Sequence, residues 1–175
     1  MPAVPRSTTA ASATTYGDPA DDQTVTGPLI TVDAAIRVEE WIKEAVAKGA
    51  CQLVGGAREG AVVPPTLLVD VSRDMRVGCQ EVFGPVVSII PFDDLNEAIE
   101  RVNSTPYGLA SGIFTNRMSD AFEAVRRLDV GGVHINETSS SRVDLMPYGG
   151  TKESGFGREG PHYAVHELTE ERVVS

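Results

Sequence analysis

Val86-Val87-Ser88-Ile89-Ile90-Pro91-Phe92 is an uncharged apolar run rich in β-branched residues. A short run of this kind, without polar alternation, reads as a strand buried on both faces, the setting of a parallel sheet. The residues after it fit. Asp94 and Glu97 stand at capping-box spacing and open a helix predicted over Leu95–Val102, with Ile99 and Val102 inward. Pro106-Tyr107-Gly108 marks a turn. Leu109–Phe114 reads as a strand, Ser119–Leu128 as a second helix with Phe122, Val125 and Leu128 inward, and Gly131–Ile135 as another strand. Strand–helix–strand–helix–strand is the signature of an α/β fold: an open, mostly parallel sheet with flanking helices.

Upstream, Val38, Trp41, Ile42, Ala45 and Val46 draw one apolar stripe of a helix that begins near Thr31 or Asp33 and stops at Gly49. Glu39–Lys43 and Glu44–Lys48 are i,i+4 pairs on its wet face. A short strand, Ala50–Val54, and a Gly55-Gly56 turn follow. Ala61–Val69 is extended but broken by Pro64-Pro65, which predicts an edge or bent strand. Residues 1–27 read as a tail, and the Ala/Ser/Thr/Pro stretch of residues 1–15 as disordered, because it offers too little apolar surface to offset its ordering entropy. Its single arginine argues against a transit peptide. Downstream, Asn136–His162 is long and Gly-rich, a length more often functional than idle, and Glu167–Val174 reads as a final strand.

Composition bounds the function. The 175 residues suffice for one domain of roughly 150 residues and a tail. A net charge of −10 and a pI near 4.7, with no Lys/Arg cluster, oppose nucleic-acid and anionic-membrane partners. No run approaches the roughly 20 apolar residues of a membrane span. Cys51 and Cys79 form neither a CxxC pair nor a disulfide framework, which suits a reducing cytoplasm, and no secretory leader is expected at the N-terminus.

The motifs divide. Gly155–Gly160 spells G-x-G-x-x-G, but Pro161 follows directly and no βαβ unit fits, so a dinucleotide turn is not expected there. His162 and His166 have i,i+4 spacing without the H-E-x-x-H glutamate or an evident third ligand, so no metal is expected. Cys79 lacks an adjacent base and has Glu81 as a near neighbour, and both cysteines read as structural. Pro147–Gly155 is a glycine loop with one lysine, Lys152: a structural wrap needing positive φ angles or, less favoured beside so much negative charge, a phosphate nest. Glu81 and Phe83 stand at i, i+2. In an extended segment they point the same way and could hold a sugar diol and a flat ring, although spacing alone favours a surface acid and a core aromatic.

Taken together these segments resemble the aldehyde dehydrogenase family. Four blocks carry the match in family order. They are Gly17-Asp18-Pro19 with Thr26–Ile30; Glu81-Val82-Phe83-Gly84-Pro85-Val86; Asn103–Leu109; and Pro147–Gly155 with Gly157-Arg158-Glu159. The resemblance runs from about Tyr16 to the C-terminus and implies a partial catalytic domain over residues 16–175. It reverses the reading of Glu81 and Phe83. Glu81 matches the glutamate that holds the nicotinamide ribose hydroxyls of NAD or NADP, and Phe83 matches the aromatic beside the nicotinamide. It further implies that Pro147–Gly155 walls a catalytic tunnel, that Glu137–Met146 lies in substrate-contacting territory, and that Glu167–Val174 is a strand used in oligomerisation. Family enzymes are over twice this length, and their nucleophilic cysteine, in a G-Q-x-C setting, and their cofactor domain precede the part matched here. The implied function is therefore the C-terminal portion of an NAD(P)-dependent enzyme oxidising an aldehyde to a carboxylic acid, inactive alone and carrying no catalytic residue of its own. It would pair with a second copy or with a full-length aldehyde dehydrogenase subunit. A non-catalytic interaction module or a gene remnant is the alternative.

Overall fold

A computed structural model describes residues 3–175, and the chain divides into two compact units between Pro91 and Phe92. Among the described residues no helix is long and apolar enough to cross a membrane.

The first unit opens with α1, Ala3–Ala13, where the sequence predicts a disordered tail. Val4, Ser7, Thr8, Ala11 and Thr14 are half-buried at helical spacing. That stripe is periodic but made mostly of small and polar residues, so a search for apolar periodicity passes over it. Thr8 and Thr9 donate their hydroxyls to the carbonyls four residues back, and the helix lies against strands β1 and β2.

Helix α2, Val32–Ala47, is capped by Thr31, whose hydroxyl accepts from the Ala34 N–H at 3.0 Å. Gly49 follows its end with φ +109°, as a C′ residue should. Ala35, Val38, Trp41, Ile42 and Ala45 are buried, whereas Val46, assigned to the same stripe, is exposed. The predicted Glu39–Lys43 and Glu44–Lys48 pairs form at 2.9 and 3.0 Å. Lys48 and then Arg76 hold the Glu44 carboxyl below the ordinary carboxylate range.

Three strands follow: β1, Cys51–Val54; β2, Thr66–Val69; and β3, Val86–Ile89, with the short helix α3, Arg76–Cys79, between the last two. The sheet order is β1-β2-β3. Strand β2 runs antiparallel to β1 and parallel to β3, from Thr66 opposite Val86 to Val69 opposite Ile89. Two expectations are corrected here. The proline-broken segment is the central strand, not an edge, with Leu68 at 0% exposure. Pro64 and Pro65 precede the ladder, so it loses no N–H to them. Conversely β3, expected to be buried on both faces, is an outer strand of this sheet with Val87 60% exposed. The core joins the α2 stripe to Val63, Leu68, Val71, Met75 and Val77.

The second unit contains α4, Leu95–Asn103; β4, Tyr107–Gly108; β5, Ala110–Ile113; α5, Met118–Arg127; β6, Gly132–Ile135; β7, Thr151–Lys152; and α6, Pro161–Leu168. Strands β5 and β6 pair in parallel across α5, and β4 pairs with β7 antiparallel. Asp94 caps α4 by accepting from the Glu97 N–H at 2.9 Å, while Glu97 accepts from Asp93, one residue before the cap. That bond, then Arg101, keeps the Glu97 carboxyl below its ordinary range.

On α5 the inward face is Ala121 and Ala124. Phe122, predicted inward, is 60% exposed, and Val125 is exposed as well. The helix carries two neighbouring apolar stripes, and the small one packs because it allows closer approach. Val102 is likewise exposed, leaving Ile99 as the buried residue of α4. The final strand expected over Glu167–Val174 is absent: α6 runs to Leu168, and residues 169–175 have no regular structure. The fold is thus α/β with parallel strand pairs and flanking helices, as the alternation of patterns predicts.

Candidate functional site

Residues 80–85 link α3 to β3 and are fixed along their length. The Gln80 N–H donates to the Arg76 carbonyl at 2.9 Å, closing α3. Arg37, reaching from α2, donates to the Val82 carbonyl at 2.8 Å, and the Val82 side chain packs against the core. The Pro85 carbonyl accepts from the Thr66 N–H at 2.8 Å, which ties the loop to β2. Gly84 is required by proximity. A Cβ there would sit 3.0 and 3.2 Å from the methyls of Val38, a fully buried α2 residue with little room to yield.

With Val82 turned inward and the backbone held, Glu81 and Phe83 are both left in solvent. Phe83 has φ +49°, so the segment is not extended through it as the i, i+2 argument assumes. Left-handed backbone at a bulky residue costs on the order of 1 kcal/mol or more and persists only where its surroundings impose it. The ring is 73% exposed. A large aromatic held off the surface on strained backbone, two residues from an exposed carboxylate, suits a flat partner with hydroxyl donors. A carboxylate can accept from two hydroxyls, and an aromatic ring face can pack on a flat group. The pinning contacts were not legible beforehand, because Arg37 lies 45 residues from Val82.

The glycine loop needs positive φ at Lys152 and Gly155, as expected, and close backbone approach at two other glycines. Gly149 and Gly150 are not among the positive-φ residues; those are Lys152, Gly155, Gly157 and Gly160. What Gly149 and Gly150 supply is room. A Cβ on Gly150 would meet Ser154 at 2.5 Å, and one on Gly149 the Gly157 carbonyl at 2.6 Å. Lys152 is committed elsewhere than to a phosphate. Its ammonium donates to the carbonyls of Asn103, the last residue of α4, and Thr105, just past it, both at 3.1 Å, and lies 3.6 Å from Asp129. A cation at a helix C-terminus satisfies orphan carbonyls and the helix dipole together. Lys152→Met should therefore lower the thermal stability of this unit by about 1–3 kcal/mol, read as an earlier melt. An unchanged melting temperature would return the lysine to a ligand role.

In Glu137–Met146 the guanidinium of Arg142 stacks 4.7 Å from the Tyr148 ring centre and pairs with Glu159 at 3.0 Å. Tyr148 and Glu159 exchange backbone hydrogen bonds of 3.1 and 2.6 Å, so the arginine clasps a two-residue ladder. Cys51 is exposed on β1, and Cys79 is half-buried at the end of α3. His162 and His166 lie on α6, and no set of three or more His, Cys, Asp or Glu among the described residues is placed to hold a metal ion. Although a helix does follow Gly160, β7 before it is a two-residue antiparallel strand, so the G-x-G-x-x-G geometry does not arise.

The sequence pattern of the "Aldehyde dehydrogenase family" matches residues 2–174. The chain belongs to the aldehyde dehydrogenase family. It is 52% identical over 158 residues to 3-sulfolactaldehyde dehydrogenase from Priestia aryabhattai, a match covering 90% of this chain and 33% of that one. Aldehyde dehydrogenase 21 from Physcomitrella patens, solved in complex with the reaction product succinate, superposes with a TM-score of 0.90 at 44% identity, over 93% of this chain and 34% of that one. Glyceraldehyde-3-phosphate dehydrogenase GapN from Methanocaldococcus jannaschii, complexed with NADP, gives 0.90 at 41% identity, over 94% and 36%. The chain thus spans about a third of the length of these aldehyde dehydrogenases.

Proposed function

We propose that these residues are the C-terminal portion of an NAD(P)-dependent aldehyde dehydrogenase that oxidises an aldehyde to a carboxylic acid. In this reading Glu81 holds the hydroxyls of the nicotinamide ribose and Phe83 flanks the nicotinamide. The observation that carries it is the fixed loop from which the Glu81 carboxylate and the Phe83 ring project into solvent. When bound, the nicotinamide supplies the hydride acceptor. The chain's own part is to accept the ribose hydroxyls at the Glu81 carboxylate and to present an apolar ring face beside the base.

The substrate in this reading is an aldehyde with an anionic tail. Three of the similar proteins are named for 3-sulfolactaldehyde, glyceraldehyde-3-phosphate and a succinate product, which carry a sulfonate, a phosphate and a carboxylate. Arg142 is the one Lys or Arg in Glu137–Met146, and its half-exposed fork retains donors beyond the Glu159 bond. Association with a second copy or a full-length subunit, in the cytoplasm, completes the proposal. Val87 on β3 and Met118, Phe122 and Val125 along α5 are apolar and exposed, and each would gain from cover.

Co-expression with a chain supplying the first two-thirds of the Priestia enzyme tests the cofactor contacts. Two charge-assisted hydrogen bonds are worth roughly 1.5–3 kcal/mol each or together. Glu81→Gln should therefore lower kcat/KM for the nicotinamide cofactor by about tenfold or more and leave the melting temperature nearly unchanged. A large loss of melting temperature with unaltered kinetics would make Glu81 structural.

A further inference from the structure

Helix α6 sets His162 and His166 one turn apart on one face. Their ring centres are 4.9 Å apart with planes crossed at 77°. Two imidazoles ligating one tetrahedral ion, each through a nitrogen at about 2.0–2.1 Å, bring their ring centres to about 5 Å. The rings are therefore spaced so that both can reach one ion. We propose that His162 and His166 form a two-imidazole site for a borderline divalent transition-metal ion such as Ni2+ or Zn2+, its remaining positions filled by water.

The surroundings favour a cation. Both histidines are exposed and line a surface hollow of about 380 Å³ with Gly157, Arg158, Tyr163 and Glu167. The one guanidinium there is turned away: Arg158 donates to the Gly150 and Gly157 carbonyls at 3.0 and 2.7 Å. Glu167 contributes the opposite charge. Tyr163 packs edge-on against His162, ring centres 5.4 Å apart, which limits the freedom of that imidazole. Imidazole donors select nickel, copper and zinc over magnesium and calcium, which prefer oxygen. The site uses none of the residues assigned to cofactor or substrate.

Calorimetric titration of the tag-free chain with NiCl2, ZnCl2 and MgCl2 tests this. Nickel and zinc should each saturate at one ion per chain while magnesium gives no signal. His162→Ala and His166→Gln should each weaken nickel binding at least about tenfold, the loss of one of two ligands, with an unchanged far-ultraviolet dichroism spectrum. By NMR, zinc should shift the ring resonances of His162 and His166 and leave those of His134, on β6, in place. Absence of saturable nickel binding overturns the proposal. So does a double variant that binds as tightly as the native chain, which would move the ion to donors such as the Cys51 thiol, or a zinc shift confined to His134.

Discussion

Replacing Gly131 by alanine is expected to destabilise the Phe92–Ser175 unit by on the order of 3 kcal/mol or more. A Cβ at this position would lie 1.7 Å from the Gly149 carbonyl oxygen, 2.7 Å from its carbon and 3.1 Å from the Gly150 Cα. All three are backbone atoms, so no side-chain rotation relieves the clash. The glycine loop would have to move bodily. Gly131 cannot retreat, because its N–H donates to the Gly108 carbonyl at 2.9 Å and the next N–H, of Gly132, to Leu109 at 3.1 Å. The same displacement would pull on the β4–β7 pair and the Lys152 contacts at the end of α4. For a unit of this size a loss of 1 kcal/mol lowers the melting temperature by roughly 4–8 °C, so the variant should melt more than about 10 °C early or fail to fold. Gly132→Ala is the control. Its Cβ would meet only ordinary contacts, the His134 imidazole at 3.4 Å and the Ala110 Cβ at 3.9 Å. It should change stability by less than about 1 kcal/mol. Scanning calorimetry on both variants decides the matter, and equal melting temperatures would show that the loop yields freely.

The purified 175-residue chain should produce no NADH or NADPH from any aldehyde, whatever panel is supplied. Covalent catalysis at a carbonyl needs an activated nucleophile, and neither thiol has the setting for it. Cys51 sits on a surface strand, and Cys79 closes α3 in the sequence Arg76-Val77-Gly78-Cys79, not G-Q-x-C. Glu81 and Phe83 are two contacts, too few to bind and orient a dinucleotide by themselves. The effect expected is complete absence of turnover at enzyme concentrations where a whole family member reacts within seconds. Aldehyde-dependent absorbance at 340 nm, a wavelength set by the reduced nicotinamide itself, is the readout, with Cys79→Ser as the companion variant. Turnover that vanishes in that variant would make Cys79 the nucleophile after all.

The elements legible in the sequence were those whose signal is local. Thr31 and Asp94 cap the helices they precede, because a cap is a bond between residues three apart. The Glu39–Lys43 and Glu44–Lys48 pairs formed because one helical turn brings them together. The strand–helix–strand alternation sufficed for the α/β class and for the parallel β5–β6 pair, whereas the pairing of β3 with β2 was not read from it. Helix α1 was missed because its half-buried stripe, apart from Val4, is built from Ser, Thr and Ala, which carry little hydrophobic contrast. Helix α6 was missed because Gly160-Pro161 reads as a loop although proline is well placed at a first helical position.

Of the candidate site, residue types and spacing allowed Glu81 and Phe83 to be named, but only beside the family resemblance did they outweigh a surface acid and a core aromatic. By itself the sequence determined the fold class, the capped helices and the net negative charge. Only the tertiary structure decided that β2, not β3, is the buried central strand, that Lys152 serves the end of α4, and that Phe83 stands in solvent on left-handed backbone. The reason is range. Caps, pairs and periodicity act within a turn or two of chain. Burial, the choice between two apolar stripes on one helix, and the contacts of Arg37 with Val82 and of Val38 with Gly84 depend on segments dozens of residues apart closing on one another.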